Sequence, residues 1–150
     1  MKVVVQRVSE ASVVSDGVLT AEIGIGLLVL VGVTHDDTKE DVDWLVNKVI
    51  NQRIFNDDHG VMNRSLLDVD GGLIVVSQFT LQASTKKGHR PSYMNAAKHD
   101  LAVPLYEYFK VLASKKLKKI VGSGIFGSDM KVSLVNDGPV TLVMDSKNRI

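Results

Sequence analysis

The segment GLLVLVGV, Gly26 to Val33, leaves the chain few ways to fold. It carries no polar side chain, so a strand here has no face to give to water and must be covered on both sides. The wider run IGIGLLVLVGV, Ile23 to Val33, is far short of the ~18–20 apolar residues that cross a bilayer. Immediately afterwards the apolar period changes. From Thr38, a suitable N-cap with Lys-Glu-Asp behind it, Val42, Leu45, Val46, Val49 and Ile50 recur at helical spacing, which predicts an amphipathic helix. A doubly buried strand feeding a one-sided helix already implies a layered domain.

The rest of the chain extends this pattern. KVVVQRV reads as a strand rich in β-branched residues, and ASVVSDGVLTAEIG as a hairpin about Asp16-Gly17, a dipeptide suited to tight primed turns. FNDDHGVMNRS reads as a polar turn, LIVVSQFTL as a strong strand and ASTKKGHRPSY as a basic loop. A second helix is expected over about 104–116, with Leu105, Tyr108, Phe109 and Leu112 inward and Pro104 in its first turn. Two strands follow, about 130–135 and 140–145. The expected fold is α+β (mixed α/β): a single compact domain over 1–150, with largely antiparallel or mixed β-sheet layers and two main helices packed on one side.

Composition narrows the function. The 150 residues balance 18 Lys and Arg against 17 Asp and Glu, so nothing in the net charge of +1 draws the whole molecule to nucleic acid, although a local basic patch remains open. The absence of cysteine excludes thiolate nucleophiles, disulfides and Cys-based zinc sites. The N-terminal apolar run is only three residues before Gln6 and Arg7, too short for a signal-peptide core, and a cytoplasmic setting is the expectation.

Several motifs fail on context. GSGIFG, Gly122 to Gly127, fits a dinucleotide-binding glycine pattern, yet strand period follows it where a helix must open. NDDHG lacks both the side chain before glycine and the distal glutamate of a calcium loop. His35, His59, His89 and His99 have no metal-ligand spacing and read as surface residues, so no metal and no cofactor is expected. No G-x-S-x-G elbow is present. KKLKK, Lys115 to Lys119, reads as a solvated helix end that complements the helix dipole.

Three stretches resist a purely structural account. TKKGHRPSY gathers Lys86, Lys87, His89 and Arg90 with Tyr93 on one loop, where phosphate contact and simple solvation are balanced readings. SQFTL crowds Ser77, Gln78 and Thr80 at a strand exit, a common home for sites. VNDGPVT sets Gly138-Pro139 between two strand-like runs although proline cannot donate to a ladder. That step is either a plain turn or a rigid cis bond aligning two carbonyls, and local physics does not choose between them.

SQFTL and VNDGPVT, together with QRVSEASV, MNRSLLDV, KGHRPSY and GIFGSDM, resemble the D-aminoacyl-tRNA deacylase family over essentially the whole chain. The family motif near Phe126 usually carries alanine where this chain has Ser128. The resemblance implies hydrolysis of the ester joining a D-amino acid, or glycine, to the terminal adenosine of tRNA, by a homodimer with its active site at the subunit interface. It implies catalytic roles for Gln78, Phe79 and Thr80. It implies substrate contacts from Ser77, from Phe126 and Met130 to the adenosine, and from Gly138 and Pro139 as a cis step entering the partner's pocket, with Arg7 bracing that loop. Lys86, Lys87 and Arg90 are the candidate tRNA contacts.

An aminoacyl ester is already activated, so a positioned water and a stabilised oxyanion suffice. Backbone N–H groups around Phe79 and Thr80 are candidate donors. Thr80 as a nucleophile would need an adjacent base, and none lies near it in sequence. Two rival readings remain: a non-catalytic RNA- or nucleotide-binding module using the Lys86–Arg90 loop, and a structural protein whose Gly-Pro is an ordinary turn.

Overall fold

In the computed structural model, which describes residues 1–149, the doubly buried segment becomes β3 of a curled mixed sheet. The chain runs β1 (Lys2–Ser15), β2 (Val18–Ile23), β3 (Gly26–Gly32), α1 (Lys39–Asn51), β4 (Phe55–Asn56), β5 (Met62–Arg64), β6 (Gly72–Ser77), a 3-10 turn (Phe79–Gln82), α2 (His99–Leu117), β7 (Gly122–Ser123) and β8 (Met130–Asp145). β1 and β2 form the expected hairpin, with Asp16 and Gly17 both at positive φ, the backbone that a primed turn requires. β3 pairs antiparallel with the first half of β1 and parallel with β6, and β6 continues to β7. The sheet curls until β7 meets β2: a Cβ added to Gly122 would lie 2.9 Å from that of Ala21. The small hairpin β4–β5 replaces the expected polar turn.

Curling explains why β3 has no polar face. Leu27, Val29, Val31 and Val33 point to the helices, where Val42, Leu45, Val46, Val49 and Ile50 of α1 and Leu105, Tyr106 and Phe109 of α2 complete one core. Leu28, with Val8, Ala11, Val13, Ala21, Ile74 and Val76, fills the concave interior of the curl as a second core. Both helices lie on the convex side, as the sequence predicts. Each fully buried aliphatic side chain contributes ~1.5–3 kcal/mol, so the α1 stripe alone is worth about 10 kcal/mol before chain entropy is subtracted. Thr38 caps α1: its backbone N–H donates to Asp41 Oδ2 at 2.8 Å, which is half of a capping box.

Three expectations need correction. α2 begins at His99, not near Pro104, so Pro104 lies inside the helix, beyond the first turn. The strand expected through Leu81 ends at Ser77. Finally, the two C-terminal strands are one. β8 runs antiparallel along all of β1, but between the pairs Gln6–Thr141 and Val8–Asn136 it has three more residues than β1. Asp137 to Val140 therefore bulge out of the ladder, and the Gly138–Pro139 bond within them is cis. A bulge is one of the few places a sheet accepts a proline, since no ladder donor is required there.

Candidate active site

A mostly apolar site opens where β6 stops. Gln78 N–H still donates to Val31 O (2.8 Å), but the chain then winds into the 3-10 turn and leaves the sheet. Two contacts with β3 fix this departure. Gln82 Nε2 donates to Gly32 O at 2.8 Å, and the turn lies so close that a Cβ on Gly32 would sit 2.8 Å from Leu81 Cβ and 2.9 Å from Gln78 O. Only glycine allows that approach. In the turn, bonding starts at Leu81 N–H, which donates to Gln78 O at 3.2 Å. The amides of Phe79 and Thr80 precede it and, among the described residues, are left without a backbone acceptor, as first-turn donors are.

Phe79 lines a cavity of about 560 Å³, and Thr80 follows it in the turn, just behind the cavity wall. Ser77, Gln78 and Phe79 form one wall; Val31, Val33, Val76 and Val132 form an apolar floor; Ala96, Ala97, His99, Ala102 and Tyr106 bring in the start of α2 and the segment before it. Phe126, Gly127, Ser128 and Met130, from the glycine-rich loop and the start of β8, close the far side. Phe126 is clasped by two rings, His99 edge-on at 5.3 Å and 89°, and Tyr106 at 5.6 Å and 59°. Tyr106 is itself anchored, its hydroxyl donating to Val75 O at 2.7 Å, and burial pushes its pKa well above the ordinary phenol value.

Among the described residues no carboxylate lines this cavity, and His99 is its one imidazole. Thr80 Oγ1 accepts a short hydrogen bond from Gln78 Nε2, so its partner is a donor and not a base. Among the described residues no group of three His, Asp or Glu is placed to hold a metal ion. The arrangement suits an uncharged planar group on Phe126, with hydrogen-bond donors at the other end and no acid–base pair between them.

The sequence-derived residues thus fall into three places. Ser77, Gln78, Phe79, Phe126 and Met130 meet in the cavity, with Thr80 just behind its wall. Arg7, Gly138 and Pro139 are elsewhere, at the β8 bulge. Arg7 is 7% exposed; its Nη1 donates to Ile54 O at 2.7 Å and its Nε to Asp137 O at 3.1 Å, with the Asp137 carboxylate 3.4 Å away. Lys86, Lys87 and Arg90 occupy the exposed tip of a loop whose root is tied by reciprocal Ser84–Ser92 backbone bonds of 2.8 and 2.9 Å. Sequence reasoning missed His99, which read as a surface histidine, and Ala102 and Tyr106, which it did not single out. Their spacing on one helical face was the available signal, hidden because α2 was expected to begin later.

A concave, mostly apolar pocket at the exit of a parallel strand, bordered on one side by the Phe79–Thr80 turn and on the other by a clasped phenylalanine, defines a ligand-binding α+β protein with the makings of an acyl-transfer site. Residues 4–145 match the family described as D-Tyr-tRNA(Tyr) deacylase. The chain is 62% identical over 149 residues to the D-aminoacyl-tRNA deacylase of Flavobacterium johnsoniae and 58% identical to that of Phocaeicola vulgatus, covering 99% of each chain in both alignments. Its fold superposes on a solved structure described as c-Myc DNA Unwinding Element Binding Protein with a TM-score of 0.90, at 37% identity over 97% of this chain and 98% of the other. A probable eukaryotic D-amino acid tRNA deacylase shares the fold at a TM-score of 0.82 and 18% identity, covering 95% of this chain and 97% of that one. The chain belongs to the D-Tyr-tRNA(Tyr) deacylase family.

Proposed function

We propose that this protein hydrolyses the ester between a D-amino acid and the 3′-terminal adenosine of tRNA. The observation that carries the reading is the turn bordering the cavity, where Phe79 lines the wall, Thr80 follows it, and neither amide has a backbone acceptor among the described residues, opposite the clasped Phe126. The adenine lies against Phe126 and Met130, and the ester carbonyl reaches the amides. Water adds to the carbonyl carbon, the oxyanion accepts the two N–H bonds, and the 3′-oxygen leaves with a proton as the acid departs. Each oxyanion donor of this kind is worth ~2.7–4 kcal/mol of barrier. With only a donor beside Thr80, the hydroxyl orients water or substrate instead of attacking. The substrate's neighbouring 2′-hydroxyl is the available proton shuttle.

Chirality is read by the bulge. In this proposal the protein is a homodimer, and Gly138-Pro139 of one protomer enters the cavity of the other, where its carbonyls hold the substrate ammonium and leave no space for an L side chain. Supporting this are the place of the bulge, outside its own protomer's cavity, and the buried Arg7 that grips it. Discrimination then works by clash, so glycine, lacking a side chain, passes. A cytoplasmic setting, where charged tRNA is made, belongs to the same reading, and no cofactor is needed.

The test is ester loss from D-tyrosyl-, L-tyrosyl- and glycyl-tRNA with purified protein. Loss from the D and glycyl esters alone is expected. Stability of all three would leave a non-catalytic RNA-binding module in its place. Gly138 sits at φ +123°, and a Cβ there would lie 2.9 Å from Val140 Cγ2 and 3.0 Å from Arg7 Nη2. Gly138→Ala should therefore displace the bulge and relax or abolish selectivity; unaltered activity and selectivity would remove the bulge from the mechanism.

A further inference from the structure

Beside the cavity stands a feature that ester hydrolysis does not use. Phe79 and Tyr93 meet edge to face, with ring centroids 5.1 Å apart at 72°, yet Phe79 is 55% and Tyr93 43% exposed. Aromatic pairs of this geometry ordinarily help fill a core or an interface. In the single protomer they stand at the rim, open to solvent, and they are held there firmly. Tyr93 directly follows the Ser84–Ser92 closure, and the residues after it are pinned to the end of β3: the Met94 carbonyl lies 2.7 Å from His35 Nε2, and Asn95 O accepts from Thr34 Oγ1 at 2.7 Å. The rings are presented, not left over.

Charge says what they are presented to. From Ser84 to His99 the chain carries Lys86, Lys87, Arg90 and Lys98 and no carboxylate. The remainder then holds 14 cations against 17 anions, so a segment at +4 sits on a body at −3. Among the described residues, Lys86, Lys87, Arg90 and Lys98 form no ion pair, whereas Lys110, Lys119, Lys131 and Lys147 do. Paired exposed rings next to an uncompensated basic loop are the two components of a single-stranded nucleic-acid surface: π-faces for bases and cations for the backbone.

We propose that Phe79 and Tyr93 form a stacking platform for the unpaired nucleotides that precede the terminal adenosine, with the Lys86–Arg90 loop following their phosphates. The inference rests on the proposed function for the direction of the strand, since the cavity takes the last nucleotide and the rim takes those before it. The preference is for an unpaired RNA end of any sequence, because every base offers a π-face.

The experiment compares two substrates, D-tyrosyl-tRNA and D-tyrosyl-adenosine, in wild type, Tyr93→Ala and Tyr93→Phe. Tyr93→Ala should raise KM for the tRNA ester about 5- to 150-fold with kcat unchanged, leave the nucleoside ester unaffected, and be rescued by Tyr93→Phe. In parallel, the trinucleotide cytidyl-cytidyl-adenosine should bind wild type and Tyr93→Phe alike, and Tyr93→Ala more weakly by a similar factor. Equal effects on both esters, no effect on either, or an altered sedimentation coefficient for Tyr93→Ala would overturn the platform; the last would make the rim a protein interface. If wild type cleaves neither ester, the proposed function fails by itself, and the trinucleotide measurement still decides the platform.

Discussion

Replacing Arg7 with methionine isolates what grips the β8 bulge. Methionine retains most of the aliphatic stem and removes every donor. The Ile54 carbonyl, reached at 2.7 Å in a buried setting, loses a charge-assisted bond, and the Asp137 carbonyl loses one at 3.1 Å. A buried acceptor left unpaired costs about 1–3 kcal/mol, and the partly wet Asp137 carbonyl costs less. The Asp137 carboxylate adds little: its side chain is 58% exposed and 3.4 Å from Nε, so the ion pair is worth under about 1 kcal/mol. The total is about 2–3 kcal/mol, a fall of roughly 4–12 °C in Tm for a chain of this size. Urea titration of wild type, Arg7→Met, Arg7→Lys and Asp137→Asn checks each contribution. Arg7→Lys should recover only part, since one ammonium cannot reproduce the guanidinium fork across two carbonyls. Asp137→Asn should stay within about 0.5 kcal/mol of wild type. The same variants assayed on D- and L-tyrosyl-tRNA should rank selectivity in the same order. A wild-type midpoint for Arg7→Met, or a large loss for Asp137→Asn, would refute the assignment of the grip to the two carbonyls.

Other outcomes follow from the same geometry. Converting Lys86, Lys87 and Arg90 to alanine should weaken tRNA binding and reduce the slope of log affinity against log salt by about 0.7 for each phosphate no longer neutralised; an unchanged slope would leave the loop merely solvated. His99→Ala should loosen Phe126 and raise KM about two- to tenfold at constant kcat, while in a Phe126→Ala background it should do nothing further. Burial works to raise the Asp41 pKa, but hydrogen bonds from Ser146, the Thr38 amide and Lys147 outweigh it and hold the group at about 2. Its contribution is therefore present above the unfolded value near 3.8 and lost as pH falls through about 2. The stability difference between wild type and Asp41→Asn in denaturant titrations should shrink across that window.

The legible parts of the fold were those governed by local period. β3, α1 and the Asp16-Gly17 hairpin announce themselves because each depends on side chains a few residues apart. The errors came where distant contacts override local signals. SQFTL continues as a strand by propensity, yet Gln82 bonding to Gly32 bends it into a turn, and that bend is what frees the Phe79 and Thr80 amides. Pro104 suggested a helix start, but packing of Ala102 and Tyr106 around the cavity carries α2 back to His99.

By itself, the sequence determined the two-faced strand, the amphipathic helices, the α+β class and, through its motifs, the family. It also excluded thiolate nucleophiles, disulfides and Cys-based zinc sites, since no cysteine exists. Only the tertiary structure decided that Gly138-Pro139 is a cis step in a ladder bulge gripped by Arg7, and that it lies outside its own protomer's cavity. It alone placed an exposed aromatic pair at the root of the basic loop. The reason is physical. Side-chain period encodes which face of an element is buried, whereas a bulge, a bend or a shared rim depends on contacts between residues tens to more than a hundred positions apart, and these form only when the sheet curls.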